Sequence, residues 1–186
     1  MNFEELKENY SKCKLCSELL ERKQIVFGSG NSQSKILFIG EAPGVTEDKQ
    51  GVPFCGMSGK ILSELLDSVG LSRDDIFITN TILCRPPKNR NPKKEEVNNC
   101  KDRLDVLIEL MKPKVIVTIG NFATERIIGQ KEITKIHGQV FEHKFNGLSL
   151  KVVPVIHPAG YLYSGRNPEM FEKMKKDFEI IKELSS

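Results

Sequence analysis

The sequence contains no apolar run approaching the ~18 residues of a membrane-spanning helix, so no membrane anchor is expected. Its opening stretch, Met1 to Tyr10, is charged and helical in pattern, which excludes a secretory leader there. Net charge is equally scarce: 28 lysines and arginines against 25 acidic residues leave +3 over 186 residues. A chain so nearly balanced has no general basic field, so any nucleic-acid footprint must be local. Cysteine is limited to five, an odd number at wide spacings, which argues against a disulfide framework in a chain without a secretion signal. Metal binding is the better reading for most of them. Internal repeats, low-complexity segments and linkers are also lacking. With 39% apolar residues, enough for a core, these absences predict one cytoplasmic domain over residues 1–186, acting as a monomer.

What is present is organised around Ile36-Leu37-Phe38-Ile39 and the Gly40-Glu41-Ala42-Pro43-Gly44 that follows. The apolar run has no helical spacing and reads as a buried strand. Pro43 lacks an N–H and Gly44 permits positive φ, so the chain turns at the strand's carboxyl end. In open α/β sheets ligands bind at that end. The loop then carries Glu47, Asp48 and Phe54 towards Gly56, so three carboxylates and one aromatic ring reach the mouth of a sheet.

The rest of the chain alternates strands and helices. Asn2 and Glu5 form a capping box for a helix to about Lys12, and Ser58 caps a second helix with Ile61, Leu62, Leu65, Leu66 and Val69 inward. Ile76–Thr79 is a strand with Asn80 at its end. Asn91-Pro92 opens one long helix to about Met111, with Val97, Cys100, Leu104, Leu107, Ile108 and Met111 on one face. Val115–Ile119 is a third strand, and Asn121 caps a helix ending at Gly129. Asn146-Gly147 signals a hairpin, and Val152–Ile156 is a fourth strand in which Pro154 implies an edge or a bulge. Asn167-Pro168 opens the last helix. The pattern predicts an α/β three-layer sandwich around a mostly parallel, four-stranded central sheet.

If the strands are parallel, the polar groups at their ends, Glu41, Asn80 and His157, converge beside Phe54. A carboxylate, an amide, an imidazole and a ring make a pocket for a flat polar heterocycle. Taken singly, each has a plainer role: a structural histidine, a turn asparagine, a core phenylalanine. Their common place at strand ends favours the group. Cys13-Lys14-Leu15-Cys16 is a C-x2-C knuckle, and Cys84 and Cys100 flank the basic stretch Arg85, Lys88, Arg90, Lys93, Lys94. Four such cysteines suit Zn2+ or a [4Fe–4S] cluster, and spacing does not choose between them. Buried thiols are the plainer alternative. Cys55 reads as packing. The basic stretch reads as a solvated surface or as phosphate contacts.

In combination, GEAPG…ED…G-x-PF-x-G-x-x-G, ITN-x-x-x-CRPP-x-NR-x-P, HPA and the early C-x2-C resemble the family 4, iron–sulfur uracil-DNA glycosylases. The resemblance runs from Cys13 to the last helix. It implies that Cys13, Cys16, Cys84 and Cys100 ligate a structural [4Fe–4S] cluster. Gly40, Glu41 and Ala42 would line a uracil pocket, Phe54 would stack on the base, Asn80 would read its edge and His157 would hydrogen-bond O2. Ala42 stands where better-known relatives carry a water-positioning aspartate. Glu41, Glu47 and Asp48 are therefore the candidate carboxylates, with exclusion of thymine's methyl an alternative role for Glu47. Leu162 or Tyr161 would be the wedge that replaces the flipped base. His137 stands where arginine is common and is given no catalytic role. Uracil-containing DNA, single- or double-stranded, is the implied partner; the sequence reveals no replication-clamp partner. The competing readings are a non-catalytic iron–sulfur or zinc nucleic-acid-binding module and an electron carrier. The first does not need Asn80 and His157 at strand ends, and the second sits poorly with few cysteines and a full α/β core.

Overall fold

The computed structural model describes residues 1–186. Its centre is β2 (Ile36–Gly40), every residue of which is buried. Side chains alternate across a strand. Ile36 and Phe38 enter one core and Leu37 and Ile39 the other, so the run needs apolar residues at all four positions. Each such side chain contributes about 1.5–3 kcal/mol on full burial.

The elements follow in chain order. The helix α1 (Phe3–Tyr10) precedes β1 (Ser29–Gly30); after β2 come α2 (Val45–Gln50), α3 (Met57–Ser68) and β3 (Phe77–Asn80). Then come α4 (Lys94–Asn99), α5 (Lys101–Met111), β4 (Val115–Ile119), α6 (Gly120–Ile128) and α7 (Ile133–Ile136). The chain closes with β5 (Phe141–Phe145), β6 (Leu148–Val155), α8 (Ala159–Tyr163) and α9 (Pro168–Ser185). The sheet order is β1-β3-β2-β4-β6-β5. The inner four strands are parallel, as expected. Two antiparallel strands extend the sheet at its edges. Both are poor sequence signals: β1 is only Ser29-Gly30, and β5 alternates charged with half-buried residues because one face is wet.

One core, containing Leu37, Ile39, Leu104, Leu107 and Ile116, lies under α1, α5 and α6. The other, containing Phe38, Leu62, Leu65, Val117 and Phe178, lies under α3 and α9. This is the three-layer arrangement. The Asn2 capping box, the Asn167 cap with Pro168 at the first helical position, and the Asn146-Gly147 turn joining Phe145 to Leu148 all form as expected.

Four local expectations are corrected. Cys100 (φ −94°, ψ 0°) divides the expected long helix into α4 and α5. Ser58 and Asn121 lie inside α3 and α6 rather than capping them; the Asn121 side chain accepts instead from Ile133 N–H at 2.9 Å. The Glu47-Asp48 stretch is the helix α2, not open loop. Pro154, by contrast, meets its expected edge: β6 is an inner strand, but at Pro154 its far side is no longer paired with β5. Its carbonyl accepts from Gly138 N–H at 2.8 Å, on the side where β5 pairing has already ended at Val152. No ladder hydrogen bond is therefore lost at Pro154.

Candidate active site and cysteine cavity

Parallel strands deliver their carboxyl ends to one edge, and there Gly40 and Asn80 stand side by side in register. The absence of a side chain at Gly40 is what lets two neighbours close over it. A Cβ there would meet Asn80 Oδ1 at 2.4 Å and the Phe54 ring at 2.7 Å. Beyond the strands the pairing continues, with Thr81 N–H donating to Gly40 O at 2.8 Å and Ile82 N–H to Glu41 O at 3.2 Å. The resulting cavity, about 330 Å³, is lined by Glu41, Ala42, Glu47, Phe54, Asn80 and His157 among others. Gly40 lies beneath it rather than in its wall.

Phe54 has φ 51°, a left-handed conformation that costs a side-chain-bearing residue about 1–2 kcal/mol. Arg73 holds it there, donating to the carbonyls of Phe54 at 2.6 Å and Gly59 at 2.8 Å and to Ser63 Oγ at 3.0 Å. The Phe54 and His157 rings lie 5.9 Å apart, tilted by 33°. His157 Nδ1 accepts from Ala159 N–H at 3.0 Å, so the neutral ring carries its proton on Nε2. Burial pushes the imidazole pKa down, with the Glu47 carboxylate opposing. The neutral ring is thus the favoured form.

Asn80 is only 2% exposed, and its Oδ1 has no hydrogen-bond partner. Buried polar atoms are nearly always paired, so an acceptor left without a protein donor is an exception here.

The three carboxylates separate. Glu47 accepts from the N–H groups of Gly44 at 3.0 Å, Cys55 at 3.1 Å and Gly56 at 3.0 Å, and so shapes the loop from within the cavity wall. Asp48 turns away and accepts from Lys23 N–H at 2.9 Å. It is a structural tether, not a site residue. Glu41 alone makes no side-chain hydrogen bond within the protein, and burial raises its pKa. Cys55 packs beside Glu47; burial first, then that carboxylate, pushes its thiol up.

The sequence pointed less clearly to the rest of the wall: Ser58, Pro86, Asn89, Arg90 and Tyr163. Tyr163 is 89% exposed. Tyr161 and Leu162, the two expected wedge residues, instead pack against the core, and the Tyr161 ring meets Phe171 at 5.4 Å. The basic stretch is also partly committed. Arg90 forks onto Glu96 at 2.8 and 2.9 Å, and Lys93 pairs with Glu18. The Arg90 fork holds the Glu96 carboxyl below its usual range. Arg85, Lys88 and Lys94 make no ion pair. His137 lies apart from this site, bonded through Nδ1 to Asp177 at 2.7 Å.

Cys13, Cys16, Cys84 and Cys100 line a second, apolar cavity together with Arg22. All four are free thiols. No three acidic, histidine or cysteine side chains are arranged around a point that would hold a single metal ion. Burial pushes the Cys84 thiol up to about 12, with Arg22 acting against it. The Asn99 amide donates to Cys16 Sγ at 3.4 Å.

A family model, the uracil DNA glycosylase superfamily, matches residues 27–179. The chain is 39% identical over 190 residues to a type-4 uracil-DNA glycosylase of Sulfurisphaera tokodaii, spanning 99% of this chain and 85% of that one. It is 41% identical over 177 residues to a type-4 uracil-DNA glycosylase of Archaeoglobus fulgidus, spanning 92% and 87%. With that of Thermotoga maritima it shares 40% over 177 residues, spanning 94% and 90%. On the superfamily match and on these near end-to-end relatives, the chain belongs to the uracil DNA glycosylase superfamily and, within it, to the type-4 uracil-DNA glycosylases.

Proposed function

We propose that this protein excises uracil from DNA by hydrolysing the N-glycosidic bond, leaving an abasic site, and that residues 1–186 act as one domain. The observation that carries the reading is the buried Asn80 amide, its Oδ1 unpartnered, in the wall of the cavity that His157 shares. A stacked base is out of reach, so the nucleotide is extruded at a cost of a few kcal/mol. Phe54 offers the face on which the base stacks. The Asn80 amide presents an acceptor and a donor side by side, matching uracil N3–H and O4, whereas cytosine presents the reverse. The neutral His157 directs Nε2–H at O2. As the glycosidic bond breaks, uracil leaves as an anion, and a donor fixed in a dry pocket stabilises that charge by about 3–4 kcal/mol. Glu41, the carboxylate free of protein partners, is the group for positioning the water that adds to the sugar. Glu47 serves by shaping the loop.

The four thiols fit a [4Fe–4S] cluster better than zinc. In a four-iron cube each thiolate binds its own iron, so the sulfurs need to ring a cavity rather than converge on one point. Cys13, Cys16, Cys84 and Cys100 would hold it. When bound it supplies a rigid anionic cross-link between distant segments. An intracellular setting keeps such thiols reduced, and no helix is long and apolar enough to cross a membrane.

The test is base release from a single-uracil oligonucleotide without added metal or ATP, read as free uracil and as strand cleavage by alkali. Brown, iron-loaded protein that releases no uracil overturns the proposal and favours the non-catalytic binding module. Tyr163 is the wedge in this reading, because it is the exposed aromatic on the cavity rim. Base–aromatic stacking is worth about 1–3 kcal/mol. Tyr163→Ala therefore lowers kcat/KM on duplex substrate about tenfold or more, with a smaller loss on single strands, where no partner base resists extrusion. Equal losses on both substrates would remove Tyr163 from that role.

A further inference from the structure

Arg103 is the largest side chain in the molecule with essentially no exposure, and it has no carboxylate partner. Its guanidinium donates to Thr79 Oγ1 at 3.1 Å, Asn80 O at 2.7 Å and Thr81 O at 3.1 Å. Its Nε–H is buried without a partner. An isolated buried cation is strongly disfavoured unless an anion lies beside it. The group in that position is Cys100, three residues earlier on the same helical face. Asp105, the next carboxylate after it on α5, is already taken: it pairs with Lys101 and, at 2.6 Å, with Arg126. The one compensating charge left for Arg103 is therefore on the cysteine side.

We propose that Arg103 is a positioning residue that links the two cavities, its charge balanced by the thiolate-bound group and its donor fork holding the base-reading end of β3. The inference rests on the cluster assignment proposed above. Thiolates bound to metal are anions at any working pH, so they neutralise Arg103 from one side. From the other, two carbonyls and a hydroxyl fix Thr79, Asn80 and Thr81. Asn80 carries its amide on that same backbone. A structural cluster then acts on base recognition without touching the base: losing it leaves Arg103 unbalanced and slackens the strand end that aims Asn80.

The test compares wild type, Arg103→Met and Arg103→Lys, measuring iron and sulfide content, cluster reduction potential, and hydrogen exchange at the Thr81 and Ile82 amides. Arg103→Met removes a cation beside the cluster, so the potential moves negative. Exchange at Thr81 and Ile82 rises by about tenfold, the scale of losing a hydrogen bond from a charged donor. Arg103→Lys keeps the charge but not the three-way fork. It retains a potential near wild type while the strand end exchanges faster. If neither variant folds, wild type alone decides: chelating its iron raises exchange at the same two amides. An unmoved potential in Arg103→Met, or unchanged exchange in Arg103→Lys or iron-free wild type, overturns the proposal. A colourless, iron-free wild type overturns the cluster assignment instead.

Discussion

His157→Ala lowers kcat by about a hundred- to a thousandfold, the usual loss when one preorganised donor to a developing anion is removed. KM changes little. The backbone sets the tautomer. Ala159 N–H occupies Nδ1 at 3.0 Å, which leaves Nε2–H as the free donor of a ring that lines the cavity. In the ground state uracil O2 is a neutral carbonyl and gains little from one more donor; in the transition state it shares the charge of the leaving base. The interaction therefore strengthens as the bond breaks, and its loss falls on kcat rather than on binding. Single-turnover kinetics with saturating enzyme isolate the step. A variant with wild-type single-turnover rate would show that uracil's charge is stabilised elsewhere.

The pH profile follows from the same residue. Burial lowers the folded-state pKa of His157 below 6.5. Between that lowered value and 6.5 the unfolded chain binds a proton that the folded site refuses, so stability falls as the pH drops below 6.5 and is unaffected by this group above it. Catalysis through a neutral ring has its acid limb below 6.5 as well, at the lowered value. The His157→Ala variant loses that limb along with most of its rate.

Much of this was legible in the sequence because the inner strands are buried on both faces. Ile36–Ile39 and Val115–Ile119 are unbroken apolar runs, and such runs have few alternatives. The polar residue after each strand then marks the site, which is how Asn80 and His157 could be found from positions 77 residues apart. What stayed hidden depends on partners remote in the chain. Glu47 and Asp48 are adjacent acidic residues of one short helix, yet one shapes the cavity loop and the other tethers the segment around Lys23. Arg103 lies on the buried face of α5 and looks like a surface arginine until the carbonyls of Asn80 and Thr81 are seen opposite it. Tyr163 was missed for a different reason. One turn of α8 tilts Tyr161 and Leu162 towards the core, so the expected candidates are half-buried while Tyr163 stands exposed.

Asn80→Asp cuts the preference for uracil over cytosine to about tenfold. A pocket built to hydrogen-bond particular polar groups rejects a mismatched ligand by about 10⁴–10⁵-fold, because its own buried groups are left unpaired. The wild-type amide can offer its acceptor to N3–H and its donor to O4 at once. An ionised carboxylate at this position offers two acceptors, one of them facing O4, with only 2% of the residue exposed to water that could relieve the repulsion. The Arg103 guanidinium is already spent on backbone oxygens, so no free cation compensates. Burial favours the protonated acid, which carries one donor and one acceptor in either order and so fits cytosine as well as uracil. Uracil excision therefore falls by about 10³-fold or more at neutral pH, on the scale of an unpaired buried polar group facing a substrate oxygen. It recovers as the pH is lowered, while the ratio of uracil to cytosine release narrows to about tenfold for a site that accepts either order. Matched oligonucleotides carrying uracil or cytosine at one position, assayed from neutral to mildly acidic pH, measure both quantities. A variant that keeps wild-type selectivity would mean that the Asn80 amide does not face the pyrimidine edge, and the buried, unpartnered Oδ1 would then require a different ligand.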